Sequence, residues 1–488
     1  MDIDMNRKES RRATLFDRGL VRVALRQSFL MLNPWTMARN PVMFITEIGA
    51  ALTTFVWLID IFSGNANLLY TTLVMLVLWI TVLFANFAEA LAEARGKAQA
   101  DSLKNSRKQT LANRLGSSGE LESVNSAELR AGDIVVVSAG ETIPGDGEVI
   151  EGEAFGAAHA TVGELVFTTG MGGYVETLTD PSYAGQIILQ TFPLIGNYGT
   201  IPEDFEGKSA ARGYVVREWC EHPSNFRCEM TLDAYLKEAG IPGICGVDTR
   251  AITKKIREKG VMNAMISDTM DVNLADIAAY RVRNAVAEVS CREPYTVSPE
   301  PPLRRVVLLD YGTKQNIVRE LVRRGCAVQV LPHTTTAKEI LSLAPDGVLL
   351  SNGPGDPADN KEEIAVLAEL AGRVPIFGIC LGHQLLALAL GGKTEKLKYG
   401  HRGVNQPATD LVTGQTYMTS QNHGYAVVAD SIPGVGSVRF RNANDGTCEG
   451  VDYPALRAFS VQFHPEAHAG PLDTAFLFDR FIGMMEET

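Results

Sequence analysis

The chain has 488 residues, a length that exceeds one ordinary domain and indicates about two to four. Its formal net charge of −12 argues against nucleic-acid binding, which normally requires a basic surface. The seven cysteines show neither a C-x-x-C pair nor zinc-finger spacing, so they indicate reduced cytosolic thiols and no metal site.

Two long apolar runs come first, at about residues 42–62 and 68–88, and a short polar turn separates them. Each run is long enough to cross a membrane as a helix, which takes about 20 residues. Basic residues precede the first run and follow the second, which predicts a hairpin with both ends in the cytoplasm. The first run starts too far into the chain for a signal peptide and has no small-residue cleavage site. The alternative is a pair of buried helices in a soluble domain.

The chain that follows has the composition of a soluble protein. A polar stretch over 88–105 predicts a helix, and 134–137 is a short β-branched run. Farther on, helices are predicted at 233–239 and 248–259, the second with an Asp-Thr pair suited to capping it. Residues 293–303 are dense in proline and lack periodicity, which predicts a linker. These shifts predict five segments, at 1–105, 106–150, 151–292, 293–303 and 304–488.

The last segment opens with near-continuous apolar strands joined by helices, a pattern that predicts an α/β fold with a mostly parallel sheet covered on both faces. The strands are predicted at 305–310, 326–331, 347–350 and 375–379. The helices between them are predicted at 314–324, 337–343 and 361–372. Ligands in such folds bind beyond the carboxyl ends of the strands.

A nucleophile motif follows the fourth strand, in the segment Gly378-Ile-Cys-Leu-Gly-His-Gln384. G-x-C-x-G at a strand-to-helix turn is the cysteine form of the nucleophile elbow, in which glycines relieve crowding at a strained residue. The N-terminus of the next helix would favour the thiolate of Cys380. The alternative is that Cys380 is a small buried residue of the core.

Two further motifs supply what a thiol nucleophile needs. The Phe-His-Pro-Glu motif offers His464 as a base and Glu466 as the acceptor that orients the base, although alone it indicates only a surface loop. The motif at 351–357, Ser-Asn-Gly-Pro-Gly-Asp-Pro, follows the third strand and alone indicates a tight turn. Backbone N–H groups of Gly353 and Leu381 would stabilise an oxyanion, each contributing about 3–4 kcal/mol.

These motifs and Gln-Asn-His-Gly-Tyr-Ala-Val at 421–427 resemble, in order and type, those of class I (triad) glutamine amidotransferases. The chain more specifically resembles the small-subunit family of carbamoyl-phosphate synthetase, because further matches lie in a domain that other amidotransferases lack. Those matches are at 163–174, 178–187, 193–199, 246–253 and 257–260. The resemblance covers about residue 150 to the C-terminus.

The resemblance implies a set of site residues and partners. It implies a catalytic triad of Cys380, His464 and Glu466, and for His423 it leaves a structural and a catalytic role open. It implies that the glutamine-binding positions are Ser182, Gly353, Gly355, Leu381, Gln384, Asn422, Gly424 and Tyr425. L-glutamine would be hydrolysed through a thioester, and ammonia would pass to a large subunit that uses ATP, magnesium and bicarbonate to make carbamoyl phosphate. No cofactor is expected on this chain, which has no phosphate-binding G-x-x-x-x-G-K-[ST] loop.

Residues 1–153 resemble a different family, the ATP-hydrolysing subunit of the Kdp-type potassium pump, which is a P-type ATPase. The matching segments are 39–44, 83–93, 96–100, 129–137 and 139–152. They imply the first two membrane spans and the start of the actuator domain, so that the hairpin would anchor cytoplasmic catalytic domains to a membrane. The T-G-E-S loop and the D-K-T-G-T motif of that family are absent, which argues against ion transport by this chain.

The junction of the two resemblances leaves three interpretations of the chain open and suggests one structural hypothesis. The chain is either a membrane-anchored glutaminase, a pump fragment with an incidental tail, or a fusion without a joint function. We also hypothesise that the run at 134–137 replaces the first strand of the small subunit's N-terminal domain, because it is similarly β-branched.

Overall fold

The structure is a computed structural model that describes residues 28, 32, 41–63, 68–87, 111–115, 121–125, 135–136, 149–269, 274–432 and 434–486. The chain divides into two compact units, Met1–Val149 and Ile150–Thr488, called here the first unit and the second unit. The helix predicted over 88–105 lies outside the described residues.

The first unit contains two long apolar helices, Pro41–Ser63 and a second one described over Leu68–Phe87. Both meet the length and composition of a membrane span, and few of their residues are buried. The helices are joined by side-chain hydrogen bonds: Trp57 Nε1 donates to Thr72 Oγ1 at 2.8 Å, and Trp79 Nε1 donates to Thr54 Oγ1 at 2.9 Å. The pairing of these positions makes the two helices antiparallel, as a hairpin requires.

A three-stranded sheet is the other described part of the first unit, and it corrects one hypothesis. Its strands Leu121–Asn125 and Val135–Val136 both pair antiparallel with Leu111–Leu115. The run at 134–137 is therefore not a strand of the domain that follows, and the hypothesis that it replaces that domain's first strand is wrong.

The second unit begins with a six-stranded sheet, called here the small sheet. Its strands lie in the spatial order Met262–Ile266, Thr161–Thr168, Gln186–Gln190, Gly213–Val215, Pro242–Cys245 and Glu153–Gly156. The four inner strands are parallel and the two edge strands antiparallel. Its helices and short elements are Tyr174–Thr179, Leu232–Ala239, Thr249–Lys259, Leu274–Ala279, Ala285–Val289 and the strand pair Leu194–Ile195 and Glu218–Trp219.

Two of these helices were predicted from the sequence, and the cap of one is confirmed. The side chain of Asp248 accepts a hydrogen bond from the Ala251 N–H at 3.0 Å, at the start of Thr249–Lys259. This N-cap satisfies a backbone donor that the first turn of a helix leaves unpaired.

A ten-stranded sheet, the large sheet, follows. Its spatial order is Tyr295–Val297, Cys326–Pro332, Arg304–Asp310, Gly347–Leu350, Ile376–Ile379, Ala458–Val461, Cys448–Tyr453, Thr416–Val427, Thr394–Asp410 and Ser437–Asn442. The second to sixth strands in that order are parallel, and the rest pair antiparallel. Its helices are Gln315–Arg323, Ala337–Ser342, Lys361–Leu370, Leu381–Ala389 and Phe476–Glu486. The predicted α/β fold is thus present, with a mixed sheet.

One strand of the large sheet lies where a linker was predicted. Tyr295–Val297, within 293–303, pairs antiparallel with Val328–Val330 at the edge of the sheet. The prediction of a linker over the whole segment is therefore wrong for these three residues. Tyr, Thr and Val all favour extended backbone, and proline on either side is tolerated because an edge strand needs only one paired side.

Apolar residues pack on both faces of the large sheet. On one face the ring of Phe377, in a central strand, stacks on Phe459 with centroids 4.3 Å apart and meets Phe478 and Phe481. The parallel strands are thereby held in register, with their carboxyl ends at one edge.

We expect Val136→Pro to leave the unfolding transition of the second unit unchanged, because the substitution removes a backbone N–H from the three-stranded sheet alone. The control is Ile188→Pro, in a small-sheet strand paired on both sides, which should lower the unfolding temperature of the second unit because proline removes a hydrogen bond of the sheet. Calorimetry of both variants measures this. An equal loss in the two would contradict the strand assignment.

Candidate active site

Cys380 lies in the turn between strand Ile376–Ile379 and helix Leu381–Ala389. Its backbone has φ 52° and ψ −102°, a conformation that costs a non-glycine residue free energy and recurs at functional sites. The turn is also crowded, since a Cβ atom at Gly382 would lie 2.4 Å from the backbone oxygen of Leu350. The strained elbow expected from the G-x-C-x-G motif is therefore present in the structure.

The imidazole of His464 and the carboxylate of Glu466 are buried together behind this turn. His464 Nδ1 lies 2.7 Å from Glu466 Oε1, and neither side chain is exposed to solvent. Among the described residues, Nε2 of His464 has no hydrogen-bond partner. A Glu466 acceptor on Nδ1 fixes the ring, so that Nε2 is the nitrogen left to exchange a proton with a nucleophile.

Charges around the pair favour its ionised form. Burial and the Lys314 ammonium oppose protonation of His464, but Glu466 and the nearby Cys380 sulfur outweigh them and raise the His464 pKa. Burial acts to raise the pKa of Glu466, but His464 and Lys314 hold it below its usual value. The site therefore stabilises an imidazolium beside a carboxylate, as thiolate chemistry needs.

The ammonium group of Lys314 lies between two carboxylates, one from each sheet's side of the site. Its ammonium lies 3.7 Å from Glu466 Oε1, on the large-sheet side, and 3.5 Å from Asp180 Oδ2, on the small-sheet side. Burial acts to lower the Lys314 pKa, but the carboxylates of Asp180, Glu466 and Glu206 outweigh burial, so the Lys314 pKa is raised above its usual value. Lys314 thus stays charged although its side chain is only 9% exposed.

Glu206, also from the small-sheet side, is a third carboxylate near the Lys314 ammonium, and it contacts the helix that follows Lys314. Its carboxylate accepts the N–H of Asn316 at 3.1 Å and the side-chain amide of Asn316 at 2.9 Å, and its carbonyl accepts the N–H of Gln315. The N-cap residue of helix Gln315–Arg323, Lys314, makes no capping hydrogen bond with its side chain. Glu206, from the small-sheet side, caps the helix instead. Burial raises the Glu206 pKa to about 7.

Sequence reasoning did not identify Asp180, Glu206, Lys314 or Gln462 as site residues. Gln462 lies two residues before His464 and donates from Nε2 toward the Cys380 sulfur at 3.6 Å. Asp180 lies in the Leu-Thr-Asp-Pro-Ser-Tyr segment that was noted only as a family match. The remaining two had no local signal, because their partners are distant in the sequence.

A cavity of about 570 Å³ opens at the Cys380 sulfur. Of the expected glutamine-binding residues, it is lined by Ser182, Gly353, Gly355, Gln384, Asn422, Gly424 and Tyr425. Leu381, His464 and Glu466 are not part of the lining. Leu381 begins the helix behind the sulfur, where its backbone N–H belongs to the first turn.

Several lining groups already bond one another, which fixes their orientation. Asn422 Nδ2 donates to Asp180 Oδ2 at 3.0 Å, and the backbone oxygen of Asn422 lies 3.7 Å from the Cys380 sulfur. Ser182 Oγ accepts from Asn352 Nδ2 at 2.8 Å. Gln384 Nε2 donates to the Tyr425 carbonyl at 2.7 Å. A substrate therefore meets a pocket built by both sheets and held in place before binding.

Two histidines near the site are not placed to act as bases toward the thiol. His383 Nδ1 bonds Ser460 Oγ at 2.8 Å, and burial lowers its pKa to about 3. His423 also lines the cavity, but its ring nitrogens lie against the Tyr425 carbonyl and the Gln421 side chain. For His423 the structure thus favours the structural role over the catalytic one.

Comparisons with known proteins agree with the two halves of the second unit. A model of the family "Glutamine amidotransferase class-I" matches residues 307–484. A model of the family "Carbamoyl-phosphate synthase small chain, CPSase domain" matches residues 143–266.

Three curated relatives are carbamoyl phosphate synthase small chains. The protein of Fusobacterium nucleatum is 52% identical over 342 residues, which are 69% of this chain and 95% of that protein. One from Bacillus cereus is 50% identical over 348 residues, covering 70% and 94%. That of Clostridium perfringens is 50% identical over 343 residues, covering 69% and 97%.

Two solved structures also align with 38% of this chain. They are a protein from Thermoplasma acidophilum named for a GMP synthase subunit (20% identity, TM-score 0.34, 94% of that chain) and a glutamine amidotransferase from Thermotoga maritima (18% identity, TM-score 0.28, 84% of that chain).

We expect Glu206→Gln to remove a pH dependence of stability. Because the folded-state pKa of Glu206 is raised, its contribution is fully present below pH 4.5 and is lost as the pH rises through about 7. Since one pKa unit corresponds to about 1.4 kcal/mol, this loss is on the order of 3 kcal/mol. A glutamine cannot ionise and should not show it.

Urea unfolding at about pH 5 and about pH 8 measures the difference. The matched control is Glu203→Gln, since Glu203 lies on the same segment with its side chain 79% exposed. If the Glu206 and Glu203 variants had the same pH dependence, the burial argument would be wrong.

Proposed function

This chain belongs to the carbamoyl phosphate synthase small-chain family, and we propose on that basis that Cys380, His464 and Glu466 form the triad of its glutamine amidotransferase reaction. The chain forms part of an enzyme whose substrate is glutamine, and its partner is a large subunit. The main support for the triad is that the strained Cys380 turn and the buried His464–Glu466 pair lie together at the carboxyl ends of the parallel strands.

The reaction proceeds in two acyl-transfer steps. His464 takes the proton of the Cys380 thiol, and the sulfur attacks the side-chain amide carbon of glutamine. The C–N bond then breaks as His464 returns the proton to the leaving nitrogen, which departs as ammonia. Water, giving its proton to His464, attacks the thioester; glutamate leaves and the sulfur regains a proton.

The backbone around the sulfur is suited to stabilising the oxyanion of both steps. We assign the two donors to the N–H groups of Gly353 and Leu381. Gly353 cannot carry a side chain without a shift of the backbone, because a Cβ atom there would lie 2.3 Å from the Tyr311 carbonyl oxygen. This close approach lets the loop at 351–357 reach the substrate.

Seven of the eight expected glutamine-binding residues line the cavity. Gly353, Gly355, Gln384, Asn422, Gly424 and Tyr425 line the cavity from the large-sheet side, and Ser182 lines it from the small-sheet side. Lys314 and Asp180 act as positioning residues in this proposal, because they hold Glu466 and Asn422 rather than the substrate.

Ammonia released at Cys380 is proposed to pass to the large subunit, which would make carbamoyl phosphate from bicarbonate and ATP with magnesium. This product supplies arginine and pyrimidine biosynthesis. ATP binding is assigned to that partner, and this chain needs no cofactor for the thioester chemistry.

The first unit is proposed to anchor the cytoplasmic second unit to a membrane. The support is the antiparallel pair of long apolar helices, joined by two Trp–Thr hydrogen bonds. The similarity of this unit to a Kdp-type pump subunit stays a proposal about its origin, and two helices do not form an ion path.

We expect Cys380→Ala to lower glutamine-dependent ammonia release by at least about 1,000-fold, because no other group can form the thioester. The assay uses the purified chain with its large subunit. The matched control is Cys220→Ala, a free and partly exposed cysteine, which should retain full activity. Retained activity in the Cys380 variant would exclude the proposed triad.

We expect the full chain to sediment with membranes and to need detergent for extraction, because the two apolar helices favour a hydrocarbon environment. A chain without residues 41–87 should be soluble and keep its glutaminase activity. Cell fractionation with immunodetection measures both. Recovery of the full chain in the soluble fraction without detergent would argue against the anchor.

A further inference from the structure

A second cluster of polar side chains is buried in the antiparallel part of the large sheet. His401 and His423 are cross-strand partners on two paired strands, and Glu449 lies on a third strand that pairs with one of them. The exposed fractions are 9% for His401, 5% for His423 and 0% for Glu449. One ligand atom from each of the three residues lies within 4.8 Å of the others.

Hydrogen bonds on the outer side of each imidazole fix which nitrogen holds the proton. His401 Nε2 lies 2.8 Å from Asp445 Oδ2, and His423 Nδ1 lies 2.7 Å from the Tyr425 carbonyl oxygen. Both partners are acceptors, so each of these nitrogens donates. Nδ1 of His401 and Nε2 of His423 then present lone pairs, as metal-binding histidines do when a carboxylate or carbonyl holds the other nitrogen.

The inner nitrogens face oxygen atoms that also have only lone pairs to offer. His401 Nδ1 has no hydrogen-bond partner among the described residues and lies 3.5 Å from Glu449 Oε1. His423 Nε2 lies 3.0 Å from Gln421 Oε1. The Gln421 amide cannot turn around, because its Nε2 donates to Glu449 Oε2 at 2.9 Å and to Thr419 Oγ1 at 3.1 Å. These lone pairs require a shared cation, which is either a proton on His401 Nδ1 or a metal ion. Burial lowers the His401 pKa, but Glu449 and Asp445 outweigh it and raise that pKa, so the surroundings of Nδ1 favour a positive charge.

Two of the inner distances are close to those between ligands of a tetrahedral zinc site. With Zn–N and Zn–O bonds of about 2.0–2.2 Å, tetrahedral ligand atoms lie roughly 3.3–3.5 Å apart, and two imidazoles on one ion have centroids about 5 Å apart. Here the inner N···O distances are 3.0 and 3.5 Å, and the His401 and His423 centroids are 5.0 Å apart.

We propose that His401, His423, Glu449 and Gln421 bind one zinc ion in a closed, structural site. Imidazole ligands favour zinc over magnesium or calcium, which take oxygen ligands. The carboxylates of Glu449 and of Asp445, behind His401, balance the charge of the ion. The sequence indicated no metal site because its cysteines lack the spacing of one, and this site uses none of them.

The site would also hold part of the glutamine pocket. Gln421 and His423 flank Asn422, and Tyr425, whose carbonyl accepts from His423, lines the cavity. An ion bound by Gln421 and His423, the two neighbours of Asn422 in the chain, keeps this strand segment in the position that the pocket needs. The zinc site itself does not depend on the glutaminase proposal, since it is defined by metal content and not by activity.

The first test is the metal content of the purified full chain after incubation with zinc and removal of free metal. We expect one zinc ion per chain, and a content at least about tenfold lower in Glu449→Gln, which loses the anionic ligand. Asp445→Asn, which changes only the group behind His401, should weaken zinc affinity by about 10- to 100-fold. His333→Ala is the matched control, because His333 forms a similar pair with Glu363 elsewhere in the domain.

Two further measurements keep the outcome independent of folding defects and of the reactive thiol. Cobalt(II) bound to the wild-type chain should show the visible absorption of tetrahedral coordination. Cys380→Ala should retain both the zinc and this spectrum, since Cys380 is not a ligand. A wild-type chain that holds no more zinc than Glu449→Gln, or whose zinc is lost in Cys380→Ala, would overturn the proposal.

Discussion

The buried ammonium group of Lys314 organises the catalytic unit, because three carboxylates from different parts of the chain face it. Glu466 belongs to the large-sheet side, while Asp180 and Glu206 belong to the small-sheet side. A charge this deep is tolerated only while its partners are present, and loss of one partner of a buried pair costs about 3–5 kcal/mol. The two sheets are therefore joined by electrostatics at the place where His464 is oriented.

Local chemistry made part of this site predictable from the sequence. Cys380 with its glycines, and His464 with Glu466, lie in short motifs, and a few neighbouring residues are enough to suggest the backbone and proton-transfer roles that are proposed for them. Ser182 was expected from the sequence, but the other small-sheet residues were not, because Asp180 and Glu206 acquire their roles only when folding brings Lys314 between them. A sequence pattern records which residue types are neighbours in the chain, and this cluster consists of neighbours in space.

The same distinction explains which parts of the fold were predicted. The four predicted parallel strands of the large sheet are four to seven residues long, mainly apolar and separated by helices, so their positions agree closely with expectation. The run at 134–137 was expected to be a strand of another sheet, and the strand Tyr295–Val297 within 293–303 was missed. A strand of two or three residues is decided by which partner edge is near. Periodicity cannot identify that partner, since a short run has too few residues to repeat a pattern.

The cap that Glu206 places on helix Gln315–Arg323 has a consequence for the order of synthesis. A ribosome makes the small-sheet domain first, so the capping carboxylate is already available when the helix emerges. A chain that is only partly made lacks His464 and Glu466, so the proposed triad is complete only after the small-sheet domain and most of the large-sheet domain have been made.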